Sequence, residues 1–162
     1  LFRMTKQGKL DEALFKGDTI NTPSMLCAED ALDGLRWLES IGGAAAAVAR
    51  SRANLKAMAD WVDRTPWVEF LARRPEWRSC TSICLRISDP WYAAQPADSQ
   101  KALAKKLVGM LEEAKAAYDV GAYRDAPPGL RVWGGATVET GDLELLTPWL
   151  DWAWAAVRQQ AG

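Results

Sequence analysis

The spacing of apolar residues changes along the chain from a helical period to a strand-like pattern and back. Apolar side chains recur at helical intervals from Ala28 to Ile41, and Gly42 and Gly43 then predict the end of a helix. A second helix is predicted from about 44 to 62. The stretch CTSICLRIS, residues 80–88, is rich in β-forming residues and predicts a strand. The stripe of the second helix expected to face a core comprises Val48, Leu55, Ala59 and Val62.

The same spacing predicts the rest of the chain. A third helix is expected from about Ser99 to Ala116, followed by two short strands at 118–123 and 130–135 that the turn RDAPPG joins. The last element, from Asp142 to about Gln160, is a tryptophan-rich helix in which Pro148 should cause a kink or a restart. These elements predict a small α/β domain of the α+β type, with helices packed on one face of a short, mostly antiparallel sheet.

The first 20 residues differ from the rest, so we expect one segment at 1–20 and a domain at 21–162. Because residue 1 is leucine rather than methionine, we also expect the chain to be a piece of a longer protein. With 162 residues, 49% of them hydrophobic, the chain is long enough to bury a core.

Charge and hydropathy argue against several kinds of partner. Twenty Lys and Arg residues against 21 Asp and Glu give a net charge of −1, which offers no general attraction to nucleic acid or to an anionic membrane. The sequence contains neither a run of 18 apolar residues nor the pattern of a secretory signal. We therefore expect a cytoplasmic protein that binds neither nucleic acid nor membranes.

The chain contains no histidine, which excludes the Ser-His-Asp and Cys-His nucleophilic sites and the histidine-containing zinc sites. Its three cysteines, Cys27, Cys80 and Cys84, are an odd number without a close CxxC pair, so free thiols are predicted. No soft ligand accompanies them, and we assign no metal ligand and no catalytic residue. Any chemistry would have to come from a cofactor or from another segment.

The stretch GDTINTPSML, residues 17–26, has two interpretations. Thr22 followed by Pro23 fits the cap and the first position of a helix. The amide of Asn21, the hydroxyl of Thr22 and the free backbone N–H groups of a helix start could equally bind a phosphate. Spacing alone leaves both interpretations open.

Arg124 and Arg131 flank a turn that contains two prolines and a glycine. Stiff backbone of this kind could make the two side chains converge, and guanidinium groups bind carboxylates and phosphates through paired hydrogen bonds. A small substrate with two acidic ends is then expected. The alternative is that both arginines are ordinary solvated surface residues.

Four segments carry a resemblance to a known family: FKGDTINTPSML, the helix end W-x3-IGG, AYRDAPPGLRVWGGATVE and LTPWLDWA. Together they resemble the C-terminal part of phosphoserine aminotransferases, and the resemblance covers essentially all 162 residues. This resemblance implies the small C-terminal domain of a fold-type I, class V aminotransferase that depends on pyridoxal 5'-phosphate. It also implies a cytoplasmic homodimer that transfers an amino group from glutamate to 3-phosphohydroxypyruvate, giving O-phosphoserine for serine biosynthesis.

The resemblance also implies roles for individual residues. Asn21 and Thr22 match the Asn-Thr pair that reaches the cofactor phosphate bound by the partner subunit. Arg131 matches the arginine that binds the substrate α-carboxylate, and Arg124 matches an arginine near the substrate phosphate. Tyr123 stands where much of the family has histidine, and the spacing from Arg124 to Arg131 is one residue longer than in those relatives.

The family's lysine that binds the cofactor covalently, and its aspartate beside the cofactor ring, match no position in this chain. Lys6, Lys9 and Lys16 fit neither context. The resemblance therefore implies a fragment without activity of its own. Another class V aminotransferase, such as a serine- or alanine-glyoxylate enzyme, and a non-catalytic binding or assembly module remain alternatives.

Overall fold

A computed structural model describes residues 4–161 of the chain. The chain forms two compact units, and the division between them falls between Ala44 and Ala45. The boundary expected after residue 20 lies inside the first of these units.

The first unit begins with a small antiparallel hairpin that the sequence did not predict. Its strands are β1 (Thr5–Lys6) and β2 (Lys9–Leu10), and Gly8 between them has a φ of 77°. A short 3₁₀ helix, Glu12–Lys16, follows and ends at Gly17, whose φ is 81°. Strands of two residues are too short to show alternation, so no hydrophobic pattern could have predicted them.

The helix α1 (Met25–Ser40) begins two residues later than the Thr-Pro pair suggested. Ser24 is its cap, with an extended backbone and a side-chain oxygen that accepts a hydrogen bond from the N–H of Cys27 at 3.4 Å. Of the two interpretations of Thr22, the capping one is therefore wrong, since serine provides the cap at the residue that immediately precedes the helix. The predicted end is confirmed, because Gly42 has a φ of 103°.

The second unit contains a three-stranded antiparallel sheet in the order β3–β4–β5. The strands are β3 (Val68–Phe70), β4 (Ser82–Ile87) and β5 (Gly129–Trp133). The strand predicted at 80–88 is confirmed as β4. The three-residue β3 was not predicted, for the same reason of length as the hairpin.

Helices connect and cover the strands. The third and last helices are confirmed within a few residues of their predicted bounds, and a short helix before the third was missed. Within residues 4–161, no helix combines the length and the apolar character needed to cross a bilayer. The helices after α1 are α2 (Gly43–Val62), α3 (Pro90–Ala93), α4 (Ala97–Glu113) and α5 (Thr140–Ala161).

The helices α2, α4 and α5 pack on one face of the sheet, which confirms the predicted α+β fold class. Side chains alternate along β4 and β5, so that every second residue enters the core. The core residues of the sheet are Val68, Phe70, Ile83, Leu85, Ile87, Leu130 and Val132, and the helices contribute Met58, Trp61, Leu107, Leu111, Leu150 and Val157.

The predicted core-facing stripe of α2 is confirmed in part and one predicted strand is wrong. Val62 is buried and Leu55 and Ala59 pack against the core, whereas Val48 is exposed. The other buried residues of α2, which were not predicted, are Ser51, Asn54, Met58 and Trp61. The segment 118–123 is not a strand. Only its Gly121 forms a bridge, to Leu130, because the left-handed backbone at Asp119, with a φ of 53°, interrupts the extended conformation.

A tryptophan cluster joins α2, the start of β3 and α5. Trp67 stacks on Trp154 with ring centroids 5.2 Å apart and meets the edge of Trp61 at 5.7 Å. The carboxylate of Asp151 accepts hydrogen bonds from the indole N–H groups of Trp61 at 3.1 Å and Trp67 at 2.8 Å. Burial beside Trp154 also raises the pKa of Tyr92. The indole N–H groups of Trp61 and Trp67 are thus both hydrogen-bonded within the core.

The helix α5 continues through Pro148, so the expected restart is wrong. Proline lacks the N–H that would bind the carbonyl of Glu144. The hydroxyl of Thr147 donates to that carbonyl instead, at 3.0 Å. A local side-chain hydrogen bond therefore replaces the missing backbone one.

Replacing Thr147 with valine should remove this substitute while keeping the shape of the buried side chain. We expect a loss of about 0.5 to 1.5 kcal/mol in the free energy of unfolding, measured by urea denaturation. In a Pro148→Ala background the backbone N–H returns, so the same substitution should cost clearly less. An equal loss of unfolding free energy in the two backgrounds would show that the Thr147 hydroxyl does not replace the missing backbone hydrogen bond.

Candidate functional site

Arg131 lies in the middle of β5 on the face of the sheet away from the core. Its cross-strand partner in β4 is Cys84. Its chain neighbours Leu130 and Val132 are buried, which fixes the backbone at this position. The side chain of Arg131 is only 14% exposed although it lies on the open face. Other side chains therefore cover it.

Two neighbours hold the guanidinium of Arg131. Its Nη2 donates to Oδ2 of Asp119 at 2.8 Å and to the carbonyl of the same residue at 3.4 Å. The ring of Tyr123 lies against its face, with the Cζ atom 4.5 Å from the ring centroid. The Nε has no partner within residues 4–161. The guanidinium is thus fixed at Nη2 by Asp119 and on one face by Tyr123. It retains N–H donors for a further acceptor such as a carboxylate.

The segment 119–122 lies alongside β5 and brings these neighbours into place. The N–H of Arg131 donates to the carbonyl of Val120 at 2.8 Å, and the N–H of Ala122 donates to the carbonyl of Gly129 at 3.3 Å. Gly129 itself approaches the Leu85 carbonyl so closely that no Cβ would fit there. The turn that follows the segment is therefore anchored at both ends.

Arg124 is in a different environment. Its side chain is 92% exposed, and its acidic neighbour is Asp125, at 3.4 Å from Nε to Oδ1. The two arginines pair with different carboxylates, and it is Tyr123 rather than Arg124 that contacts Arg131. The structure thus brings together two of the three residues proposed to bind substrate.

Arg124 lines a cavity of about 260 Å³ between α4 and the segment 121–129. Lys101 and Lys105 line the same cavity, together with Tyr123. The sequence analysis assigned a binding role to neither lysine. The spacing of four residues between the two lysines, which puts both on one side of a helix, is the signal that could have identified them.

Asn21 and Thr22 belong to the first unit, just before α1. Both are exposed, and neither side chain makes a hydrogen bond to the part of the chain that the structure describes. Because Ser24 caps the helix, their amide and hydroxyl groups remain available. The first turn of α1 contains no acidic residue, so nothing there opposes the positive end of the helix dipole.

The loop after β5 is fixed by Asn54, a residue that sequence reasoning missed. Its buried amide nitrogen donates to the carbonyls of Gly134 at 3.1 Å, Gly135 at 3.2 Å and Val138 at 3.0 Å. Its oxygen accepts a hydrogen bond from the hydroxyl of Thr140 at 2.7 Å. A polar residue at helical spacing from the apolar Met58 and Trp61 was the available signal.

Comparison with known proteins yields one consistent group, although no family model matches the chain. A curated phosphoserine aminotransferase from Methanosarcina mazei is 46% identical over 158 residues, which is 98% of this chain. The chain spans 40% of the length of that relative.

Two solved structures share the fold. The phosphoserine aminotransferase from Bacillus circulans subsp. alkalophilus matches 88% of this chain and 36% of its own, with a TM-score of 0.72 and 18% identity. The phosphoserine aminotransferase with bound PLP from Trichomonas vaginalis matches 85% of this chain and 36% of its own, with a TM-score of 0.69 and 20% identity.

The amide of Asn54 should be essential for stability. Replacing it with alanine would leave several buried carbonyls without donors, and we expect a loss of about 2 to 4 kcal/mol in the free energy of unfolding. Urea denaturation measures the change. Lys56→Ala, on the exposed side of the same helix, is the control and should cost less than about 0.5 kcal/mol. Equal costs for the two variants would show that Asn54 does not hold the loop.

Proposed function

The chain is related along nearly its whole length to phosphoserine aminotransferases, and from this relationship we propose that it is the C-terminal small domain of such an enzyme. The full-length enzyme transfers an amino group from glutamate to 3-phosphohydroxypyruvate and forms O-phosphoserine for serine biosynthesis. In this proposal, residues 1–20 are the tail of the large domain and residues 21–162 the small domain. The observation that carries it is the guanidinium of Arg131, held in place but with donors to spare.

Arg131 is proposed to bind the α-carboxylate of the substrate. Glutamate and O-phosphoserine both carry this group, so one arginine serves both halves of the reaction. Rigid strand backbone and two fixed contacts reduce the freedom that the guanidinium would lose on binding. A planar fork then meets the planar carboxylate through two parallel hydrogen bonds.

Arg124 and Tyr123 are proposed to lie near the substrate phosphate. Arg124 shares its cavity with Lys101 and Lys105, so three cationic side chains surround one small volume. A phosphate dianion would be attracted to such a group of charges. The phenol of Tyr123 can donate a hydrogen bond where much of the family uses histidine.

The proposed cofactor is pyridoxal 5'-phosphate, as in the PLP-bound relative, and when bound it provides the electron sink for amino-group transfer. Asn21 and Thr22 would donate to its phosphate across a homodimer. Their exposed, unpartnered donors beside the positive end of α1 fit a phosphate.

The chain's own residues bind and orient in this proposal. The family's lysine and aspartate that act on the cofactor are assigned to the part of the longer enzyme outside this chain, which spans 40% of its curated relative. The chain alone is therefore proposed to be inactive. The assembled enzyme is proposed to be a cytoplasmic homodimer that acts on small molecules.

Arg131→Lys in the full-length enzyme tests the carboxylate assignment, because lysine keeps the charge but loses the planar fork. We expect kcat/KM for both glutamate and O-phosphoserine to fall at least about tenfold, with the absorption spectrum of the bound cofactor unchanged. Steady-state kinetics and absorbance measure the two effects.

Arg86→Lys provides a matched control. Arg86 lies on the same face of the sheet and pairs with Glu69 rather than with the proposed substrate. Its replacement should leave kcat/KM within about twofold of the wild type. Near wild-type turnover by the Arg131 variant would refute the assignment.

A double replacement of Asn21 and Thr22 by alanine tests the cofactor contact. Cofactor retention should weaken by about 1 to 3 kcal/mol if two hydrogen bonds to a phosphate are lost. Since Ser24 caps α1, the free energy of unfolding should hardly change. Equilibrium dialysis and urea denaturation measure the two quantities.

Ser24→Ala should show the opposite pattern. Loss of the cap should cost about 1 kcal/mol of stability and leave cofactor affinity unchanged. Unchanged cofactor retention in the Asn21 and Thr22 double variant would contradict their proposed role.

Substrate choice separates this proposal from a related one. A serine- or alanine-glyoxylate aminotransferase would also need an arginine for the carboxylate, so Arg131 does not discriminate. The phosphate of O-phosphoserine would be attracted to the three cationic side chains that line the cavity around Arg124, whereas the uncharged hydroxyl of serine would not. Preference of the full-length enzyme for O-phosphoserine over serine therefore favours the proposed function, and the absence of any transamination favours a binding module.

A further inference from the structure

Asp119 is the acidic partner of Arg131. It touches the guanidinium twice, through its carboxylate at 2.8 Å and its carbonyl at 3.4 Å, both on Nη2. Within residues 4–161, no other carboxylate forms an ion pair with Arg131. The neighbouring arginine on this face, Arg86, has a separate partner in Glu69.

The backbone places Asp119 here by a conformation that few residues adopt. Its φ of 53° is in the left-handed region, where Asp and Asn are enriched among residues with a side chain. The next residue, Val120, is buried and accepts the backbone hydrogen bond of Arg131. Asp119 is therefore anchored directly opposite the arginine by the strand contact itself.

The pair is asymmetric in exposure. The side chain of Arg131 is 14% exposed, whereas that of Asp119 is 87% exposed. The carboxylate of Asp119 therefore loses little hydration when it pairs with the largely covered guanidinium. Tyr123 restrains the face of the guanidinium, and Asp119 restrains its rotation in the plane.

We propose that Asp119 is a positioning residue that holds the guanidinium of Arg131 in the orientation that receives the substrate α-carboxylate. The proposal rests on the proposed function, which gives Arg131 that substrate group. Asp119 itself touches neither substrate nor cofactor. It acts by limiting the orientations that Arg131 samples before binding.

The alternative role for Asp119 is that of an anion that competes with the substrate carboxylate for Arg131. If Asp119 merely occupied the position of the substrate carboxylate, its removal would strengthen substrate binding. The two roles therefore predict changes in KM of opposite sign.

Asp119→Asn is the informative variant, because asparagine tolerates the left-handed backbone and preserves size while removing the charge. The first measurement is nitrogen-15 NMR of the Arg131 side chain in this 162-residue chain. Rotation about the Cζ–Nε bond should become at least about threefold faster when the charge-assisted hydrogen bond is lost. This measurement is independent of any enzymatic activity.

The second measurement is the kinetics of the full-length enzyme. KM for glutamate and O-phosphoserine should rise about 3- to 10-fold, and kcat should stay within about twofold, because the arginine makes the same contact before and during reaction. In an Arg131→Lys background the same substitution should have no further effect on KM. Asp63→Asn, which removes an exposed charge without an ion pair inside residues 4–161, is the control and should change neither measurement.

The outcomes separate this inference from the proposed function. Unchanged rotation, or an unchanged or lower KM for the Asp119 variant, would overturn the positioning role even if Arg131→Lys is inactive. Wild-type kinetics of Arg131→Lys would instead overturn the proposed role of Arg131 and, with it, the purpose assigned to Asp119. Faster rotation together with a higher KM supports both.

Discussion

The alternation of side chains along β5 between the core face and the open face of the sheet determines the geometry of the candidate site. Leu130 and Val132 must face the core, so Arg131 between them has to face the other side of the sheet. A shift of one residue in register would bury the guanidinium and expose two apolar side chains. Gly129 fixes that register further, because only a residue without a Cβ fits against the Leu85 carbonyl. The packing of Leu130 and Val132 in the core therefore places the Arg131 side chain on the opposite face of the sheet.

The long helices and strand β4 could be predicted from the spacing of apolar residues, but the polar side chains that hold the elements together could not. Four helices and β4 could be predicted because many apolar residues repeat at one interval in each. Asn54 satisfies four particular partners and Asp151 two, all of them far along the chain, and Thr147 satisfies one partner a single turn away. Such pairings depend on tertiary positions, and a single sequence does not contain them. The same applies to the three-residue strand β3 and to the left-handed backbone at Asp119.

The candidate residues were predictable to different degrees. Arg131 could be recognised from the motif that contains it, and its turn with two prolines indicated rigid backbone. Its convergence with Arg124 could not be judged, because the side-chain partners Asp119 and Asp125 decide where each guanidinium lies. Of the two interpretations of Thr22, the capping one is wrong, because local preference allows either residue as the cap and the structure places it at Ser24. That correction matters, since it frees Thr22 for a ligand.

The two units offer different chemistry to anions. In the first, neutral donors stand beside the positive end of a helix, an arrangement that suits a phosphate held by several hydrogen bonds. In the second, the largely buried guanidinium of Arg131, which Asp119 fixes at Nη2, suits a planar carboxylate. A chain with a net charge of −1 has no general attraction for anions, so selectivity has to come from these local arrangements. Since Asp119 already balances the charge of Arg131, a carboxylate bound there would gain most from the orientation of the arginine's hydrogen-bond donors.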